Sequence, residues 1–167
     1  GSFLIRLEKK ADARGFFART FCQKTFRELG LAFEIRQTNI SSNLKRGTLR
    51  GMHYQKAPKA EAKLISCPKG KIYEVLLDLR AGSSTFARWV GVELTENGLD
   101  LLYVPEGIAH GFQTLEDDTL VLYQMFEFYE PTFTCGVRYD DKRFDIRWPL
   151  PVSSISEQDL AYQKHRE

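Results

Sequence analysis

The stretch AKLISCPKGKIYEVLLDL, residues 62–79, contains two apolar runs separated by the turn-forming pair Lys69 and Gly70. Both runs are short and rich in aliphatic, β-branched and aromatic residues. Runs of this length and composition, bounded by turn residues, are typical of β-strands. The stretch therefore predicts two strands, residues 62–67 and 71–79, with a break between them.

The same pattern recurs along most of the chain. Asn97 and Gly98 lie between two such runs and are a strong signal for a tight hairpin. About ten short strands at a spacing of roughly 8 to 12 residues are typical of a sandwich or jelly roll. The sequence therefore predicts a small all-β barrel. Its further strands are predicted at residues 15–21, 33–42, 48–55, 86–94, 100–105, 109–115 and 119–129.

Only two segments have helical patterns. Residues 23–30 end at Gly30, which is placed to terminate a helix. Residues 156–167 begin with Ser156 followed three positions later by Asp159, a variant of the capping box. A few short helices are therefore expected beside the barrel.

The composition argues against several classes of protein. The 167 residues fit a single domain, residues 1–167, of which residues 1–2 have the form of a cloning scar. A net charge of +2 without a long basic run argues against nucleic-acid binding. No apolar run approaches the ~20 residues of a membrane span, and no signal peptide opens the chain. Widely spaced Cys22, Cys67 and Cys135 favour reduced thiols in a cytoplasmic protein.

The stretch PEGIAHGF, residues 105–112, fits P-x-G-x-x-H, the second half of the motif that names the cupins, a jelly-roll superfamily. In metal-binding cupins His110 would be a ligand, together with an H-x-H pair and a carboxylate from an earlier strand. That strand reads HYQ here, so His53 has no second histidine beside it. With His165 near the C-terminus, only His53 and His110 remain, fewer than a usual transition-metal set. The sequence therefore predicts no metal site.

A jelly-roll cavity without a metal can still perform proton chemistry. His53 carries an imidazole, the side chain that most often serves as a general base. Lys63 lies on a neighbouring predicted strand, where an ammonium group could stabilise an oxyanion. In the strand around Tyr123, alternation puts Val121, Tyr123 and Met125 on one face, and a phenol inside the barrel could deliver a proton.

Each of these residues also has a structural explanation. His53 could be an ordinary core or surface histidine, Tyr123 could be half-buried packing and Lys63 could be solvated. Asp159 is adequately explained as part of the helix cap. The residue pattern alone leaves these alternatives open.

Two stretches together, RGTLRGMHYQ (residues 46–55) and PEGIAHGF (residues 105–112), resemble the dTDP-4-dehydrorhamnose 3,5-epimerase family of metal-free cupins. Further matching blocks lie at residues 36–43, 62–95 and 145–149. The resemblance implies a cupin jelly roll (double-stranded β-helix) that forms one epimerase domain and needs no cofactor. It also implies a homodimer in which N-terminal strand exchange contributes to the neighbouring site.

The resemblance also assigns roles in catalysis. His53 corresponds to the catalytic base and Asp159 to the carboxylate that pairs with it. Lys63 corresponds to the lysine beside the keto oxygen of the sugar, and Tyr123 to the acid on the opposite face. The implied reaction removes a proton from C3 or C5 of a 4-keto-6-deoxy sugar, passes through an enolate and returns a proton with inversion.

Residues that would bind the nucleotide-diphosphate sugar follow from the same motifs. Ser41, Arg50 and His110 would hold the sugar, its oxygen or the diphosphate. Arg14, Gln37 and Asn39 would make other contacts with the nucleotide diphosphate. Tyr129 would stack on the base.

One position departs from the family pattern. Many members carry a glutamate two positions after RGFF, where it accepts a hydrogen bond from the N–H of thymine, and this chain has Arg19 there. Because N3 of cytosine is an acceptor, the departure raises the hypothesis that the nucleotide is CDP or another base instead of dTDP. The alternative is that Arg19 points to solvent.

Two other functions compete with the epimerase. One is a 3,4-ketoisomerase acting on a similar sugar nucleotide, against which the pairing of His53 with Asp159 argues. The other is a non-catalytic cupin that binds sugar nucleotides, although such a protein has no need of a base and an acid on opposite faces.

Overall fold

The computed structural model describes residues 1–163. These residues form β1 (Phe3–Ile5), β2 (Lys10–Asp12), β3 (Gly15–Phe17), α1 (Gln23–Glu28), β4 (Gln37–Asn43), β5 (Leu49–Gln55), β6 (Lys63–Lys69), β7 (Lys71–Asp78), β8 (Trp89–Thr95), β9 (Leu101–Val104), β10 (Ile108–Thr114), β11 (Thr119–Met125), a 3₁₀ turn (Pro131–Phe133), β12 (Thr134–Gly136) and α2 (Glu157–Ala161).

Ten of these strands form two antiparallel five-stranded sheets. The first sheet has the order β1-β9-β6-β11-β4 and the second has the order β12-β5-β10-β7-β8, while β2 and β3 pair only with each other. Ile65 and Val121 of the first sheet pack with Ile72 and Phe112 of the second in one buried cluster. Burial of these apolar side chains between the sheets stabilises the sandwich. The prediction of an all-β jelly roll with a few short helices is confirmed.

The two strands predicted at residues 62–79 lie in different sheets. β6 pairs with β9 and β11, whereas β7 pairs with β8 and β10. The chain turns between the sheets at Gly70, which has φ of 79°. A Cβ atom there would lie 2.6 Å from Oγ1 of Thr119, so both the backbone conformation and the space favour glycine.

β11 has the alternation predicted from its sequence. Val121 is fully buried in the core, while Tyr123 and Met125 on the same face line the main cavity. The antiparallel register of Tyr123 with Asn39 of β4 and Ile65 of β6 holds this face inward. Successive side chains of a strand alternate between its two faces, so this register sets which side chains reach the cavity.

The hairpin predicted at Asn97 and Gly98 is wrong. β8 pairs with β7 of the second sheet and β9 pairs with β6 and β1 of the first, so the segment between them crosses from one sheet to the other. The turn is local, with the N–H of Leu99 donating to the carbonyl oxygen of Thr95 at 3.0 Å. Turn residues report that the chain bends, but burial of apolar faces between the sheets decides where the next strand pairs.

Four predicted strands extend well beyond the observed ones, and one of them, β3, ends at Phe17 instead of residue 21. β4 begins at Gln37 instead of residue 33, β8 begins at Trp89 instead of residue 86, and β11 ends at Met125 instead of residue 129. Ala87 has φ of 60°, which interrupts extended structure before β8.

The two helices match their predicted starts. α1 is followed by Gly30, which has φ of 67° as expected of a terminating glycine. α2 begins after Ser156, whose Oγ accepts a hydrogen bond from the N–H of Asp159 at 3.1 Å. The helix ends at Ala161, earlier than predicted, and the end of the predicted segment, which includes His165, lies outside the described residues. Within residues 1–163, no helix has the length and apolar character needed to cross a membrane.

Candidate active site

The main cavity lies between the two sheets and has a volume of about 400 Å³. Both sheets and α2 contribute to its lining. Eight of the twelve residues predicted to form the site line it. They are Asn39, Arg50, His53, Lys63, His110, Tyr123, Tyr129 and Asp159.

His53 and Asp159 form a hydrogen-bonded pair at one side of the cavity. Nε2 of His53 lies 2.5 Å from Oδ1 of Asp159, and Oδ2 of Asp159 accepts the N–H of Gly51 at 3.2 Å. Burial alone would raise the pKa of Asp159, but the hydrogen bond and charge of His53 and the N–H of Gly51 outweigh it, so the pKa lies below its ordinary value. The carboxylate therefore fixes Nε2 and leaves Nδ1 of His53 as the nitrogen that can accept a proton from a ligand.

The backbone beside His53 makes a close contact that only glycine allows. Gly51 has φ of 119°, and a Cβ atom there would lie 2.6 Å from Cα of Gly111 on β10. This contact brings β5 against β10 where His53 and His110 are register partners. The two histidines therefore occupy neighbouring positions in the second sheet.

The C-terminal end of α2 lies against His53 and is held there by a hydrogen bond from Arg138. Nη1 of Arg138 donates to the carbonyl oxygen of Leu160 at 2.7 Å. The ring of Tyr162 packs edge-on against His53, with 5.9 Å between ring centroids. A Cβ atom on Gly136 would lie 2.3 Å from the Tyr162 ring, so the absence of a side chain at Gly136 creates the space that the tyrosine occupies.

Lys63 of β6, in the first sheet, begins a buried chain of charged and polar groups that reaches His110 and Glu74 in the second sheet. Its Nζ is 2.8 Å from Oε1 of Glu61 and 2.8 Å from Nε2 of His110. Nδ1 of His110 is in turn 2.8 Å from Oε1 of Glu74. Burial, followed by the charge of Lys63, holds the pKa of His110 well below its ordinary value, so the imidazole is neutral. An ammonium group has no acceptor, so Nε2 accepts from Lys63 and Nδ1–H donates to Glu74.

Glu74 is fully buried, and its second carboxyl oxygen has no hydrogen-bond partner within residues 1–163. Burial raises the pKa of Glu74 to about 8, although the charge of Lys63 lowers it in part. Glu74 is therefore protonated at neutral pH. Its Oε1 accepts from His110, which leaves the unpartnered Oε2 as the oxygen that carries the proton.

Tyr123 faces this chain from β11 in the first sheet. Burial, followed by the charge of Glu74, raises the pKa of its phenol well above the ordinary value, so the group keeps its proton at neutral pH. Its ring centroid is 6.2 Å from that of His110, in an edge-on arrangement. Ser41, predicted for substrate binding, hydrogen-bonds the Tyr123 side chain.

Three of the other predicted residues occupy defined positions near the cavity. Nε of Arg50 donates to Oδ1 of Asn43 at 2.8 Å, which holds its guanidinium at the cavity wall. Oε1 of Gln37 accepts the backbone N–H of Tyr129 at 2.6 Å. Gln37 does not line the cavity itself, but it holds the backbone of Tyr129, which does.

The structure does not bring Arg14 and Arg19 into this cavity. Arg14 lies at the exposed tip of the β2–β3 hairpin and pairs with Asp12 at 2.7 Å. Arg19 lines a separate groove of about 320 Å³ with Phe17 and Cys22.

Sequence reasoning missed the two buried glutamates. Glu61 precedes Lys63 by two positions, so strand alternation would have put both on one face. Glu74 interrupts the apolar run of residues 71–79, and a charge inside a buried strand is a signal that it has a partner.

Replacement of Glu74 by glutamine is expected to stabilise the fold in a pH-dependent way. In the unfolded chain the Glu74 carboxyl ionises near pH 4.5, whereas its pKa of about 8 in the folded protein keeps it protonated to about pH 8. Wild type therefore loses stability as the pH rises between these values, and E74Q does not, because glutamine is always neutral and can still accept from His110. At about 1.4 kcal/mol per pKa unit, the advantage of E74Q reaches a few kcal/mol near pH 8.

Urea unfolding of both proteins at pH 5 and pH 8 measures this advantage. E93Q is the matched control, because Glu93 lies on the neighbouring strand and its side chain is 53% exposed. An E74Q advantage of equal size at both pH values would contradict the prediction.

The comparisons with known proteins agree with this geometry. Residues 1–167 match the family model of dTDP-4-dehydrorhamnose 3,5-epimerase. A relative of that name from Shigella flexneri is 41% identical over 154 residues, which cover 92% of this chain and 84% of the relative. The structure of a dTDP-4-dehydrorhamnose 3,5-epimerase from Bacillus anthracis, with TDP and PPi bound, is 38% identical with a TM-score of 0.92, over 97% of this chain and 93% of that one. NovW of Streptomyces spheroides, a 4-keto-6-deoxy sugar epimerase, is 31% identical with a TM-score of 0.90, over 97% of this chain and 81% of that one.

The fold, the cavity and these likenesses define a cupin-type isomerase that acts on activated sugars. The chain belongs to the dTDP-4-dehydrorhamnose 3,5-epimerase family. The resemblance noted in the sequence and the prediction of a deoxysugar epimerase are both confirmed.

Proposed function

We propose that this chain inverts C3, C5 or both in a nucleotide-diphosphate-linked 4-keto-6-deoxy sugar by removing and returning a proton. One observation carries the proposal. His53, which pairs with Asp159 of α2, and the Lys63–Tyr123 set lie on facing sheets of a single cavity. Such an arrangement offers a base, an oxyanion-binding group and an acid to one bound sugar.

In the proposed mechanism, Nδ1 of His53 takes a proton from the carbon beside the ketone. Asp159 holds the imidazole by Nε2 and stabilises the imidazolium that forms. The ammonium of Lys63 donates a hydrogen bond to the C4 oxygen as the enolate develops. Tyr123 then returns a proton from the opposite face. The reaction involves no redox change, and we propose that it needs no metal or organic cofactor.

The proposed binding residues cover the two ends of the substrate. We propose that Arg50, Asn39 and Ser41 hold the sugar and diphosphate. We propose that His110, whose two ring nitrogens contact Lys63 and Glu74, contributes to sugar binding through Lys63. Tyr129 is 51% exposed at the cavity and is proposed to stack on the base, with Gln37 holding its backbone.

We propose a dTDP-linked sugar as the substrate, because the Bacillus anthracis relative holds TDP. The CDP hypothesis rests on Arg19 and remains the alternative. Arg19 lines a groove that is separate from the main cavity of its own chain. It would therefore contact the base only of a nucleotide bound in the cavity of another subunit.

We also propose a homodimer in which the β2–β3 hairpin carries Arg14 and Arg19 to the partner's cavity. Within residues 1–163 the hairpin pairs with no other strand, and its Phe16 and Phe17 are 51% and 67% exposed. Exposed aromatic side chains on an unpaired hairpin favour an intermolecular contact. A strictly monomeric mass in light scattering would contradict this proposal.

Two further proposals follow from the sequence. We propose that residues 1–167 act as a single cupin-type domain and that the protein is cytoplasmic. The three cysteines are free thiols, which agrees with a reducing compartment.

Solvent deuterium exchange tests the proposed function. The protein is incubated in heavy water with a dTDP-linked and, separately, a CDP-linked 4-keto-6-deoxyhexose, and the sugars are examined by NMR. We expect deuterium at C3, C5 or both, with faster incorporation into the dTDP sugar. Faster incorporation into the CDP sugar would favour the Arg19 hypothesis. No incorporation into either sugar, or movement of the ketone from C4 to C3, would contradict the epimerase.

A further inference from the structure

The Lys63 ammonium has two buried partners within the protein. A lysine ammonium has three N–H donors in a tetrahedral arrangement. Glu61 and His110 each lie 2.8 Å from Nζ, and both contacts are buried from solvent. These partners take two donors and leave one, and Lys63 lines the cavity. The rotation of the ammonium is thereby fixed with its third donor available to an oxygen in the cavity.

We infer that Glu61 is a positioning residue for the proposed reaction, which holds the Lys63 ammonium so that one donor meets the C4 oxygen of the sugar. The inference rests on the proposed function of Lys63. His110 alone gives less control, because with one hydrogen bond the end of the Lys63 side chain can still swing about the line that joins Nζ and Nε2 when Cε moves. Glu61 provides the second fixed point.

The Glu61 carboxylate also lies beside the buried amide of Gln55. Gln55 is 2% exposed, and its Nε2 lies 2.9 Å from the carbonyl oxygen of Lys59, 3.2 Å from that of Phe128 and 3.4 Å from Oε2 of Glu61. Its Oε1 accepts the N–H of Glu130 at 2.7 Å. The two N–H groups of the amide have the two carbonyl oxygens as their nearer acceptors. The 2.8 Å contact with Lys63 is therefore the shorter contact of the Glu61 carboxylate.

The charges in the chain also favour this role. Lys63 is 7% exposed, and a buried ammonium without a counter-charge is costly. Glu61 is the carboxylate that contacts it directly, since Glu74 contacts His110 instead. Because Glu74 and His110 are both neutral at neutral pH, Glu61 supplies the compensating charge.

A double-mutant cycle separates positioning from a purely structural ion pair. E61Q keeps the shape and an acceptor oxygen but removes the charge, and K63M removes the ammonium. We expect E61Q to lower kcat about 10-fold while KM changes less than about 3-fold, because the contact strengthens as the enolate forms. In the K63M background, E61Q should cause no further loss, because Glu61 acts only through Lys63.

E93Q is the control, since Lys71 and Glu93 form a 2.7 Å ion pair away from the cavity, and its kcat should equal that of wild type. If E61Q does not fold, E61D replaces it, because the shorter carboxylate withdraws from Nζ and the same loss is expected. A kcat within about 2-fold of wild type, or losses that multiply in the K63M background, would overturn the inference. Wild-type protein that exchanges no deuterium into any substrate would instead contradict the proposed function itself.

Discussion

H53N is expected to lower kcat by about 10²–10⁴-fold, the usual contribution of a positioned general base. Asparagine keeps a hydrogen-bonding group near Asp159 but has no nitrogen that accepts a proton near neutral pH. Deuterium incorporation should fall by the same factor as turnover, because both begin with proton removal. KM should change little, since the imidazole contacts the reacting hydrogen and contributes little to substrate binding.

The D159N variant also tests how much the His53–Asp159 pair contributes to kcat. The carboxylate is buried at 3% exposure and accepts from both His53 and Gly51, so its loss should reduce kcat through the orientation and charge of the imidazole. The double variant H53N/D159N should be no slower than H53N alone, because residues that act as a unit are not additive. H53N activity within about 10-fold of wild type would contradict the assignment of the base.

K63M is expected to lower kcat by about 10²–10³-fold, the typical loss when a donor to a developing oxyanion is removed. It should also destabilise the protein, because it leaves the Glu61 carboxylate buried without its partner. Breaking a buried ion pair in this way typically costs about 3–5 kcal/mol. Kinetics at saturating substrate and urea unfolding measure the two effects separately.

K71M is the matched control for K63M. Lys71 and Glu93 form an ion pair of 2.7 Å, similar in length to the 2.8 Å pair of Lys63 and Glu61, but Lys71 and Glu93 are 31% and 53% exposed. Solvent-exposed pairs contribute about 0–1 kcal/mol. K71M should therefore retain both activity and most of its stability. Equal effects of K63M and K71M on kcat would contradict a role for Lys63 at the C4 oxygen.

Local sequence patterns predicted the strands better than their pairing. The run at residues 62–79 correctly indicates β6 and β7, yet nothing in it states that Gly70 turns the chain from one sheet to the other. The same limit explains the wrong hairpin at Asn97 and Gly98. Pairing is decided by burial between distant segments, which strand propensity does not contain.

In the candidate site, too, local sequence patterns predicted some features, whereas contacts between distant residues could not be predicted from them. Alternation grouped Tyr123 with Val121 and Met125 on one face of a strand but did not indicate which face points inward. The contact of Asp159 with His53 joins residues 106 positions apart and came only from the family resemblance. Glu74 was missed because its partner, His110, lies 36 positions away along the chain. Glu61 contacts Lys63, only two positions away, so its spacing was a signal that the prediction did not use. Arg14 and Arg19 were predicted as binding residues, but a single chain does not bring them to its cavity.

The facing sheets also affect the stereochemistry of the proposed product. His53 belongs to β5 of one sheet, and Tyr123 belongs to β11 of the other, so the proton donor and acceptor approach a bound sugar from opposite sides. Packed sheets lie about 10 Å apart, a gap that one sugar ring and its flanking side chains can fill. A slip of β11 by one residue would turn Tyr123 out of the cavity while leaving every catalytic side chain in the sequence. The handedness of the sugar would then depend on strand register as much as on residue identity.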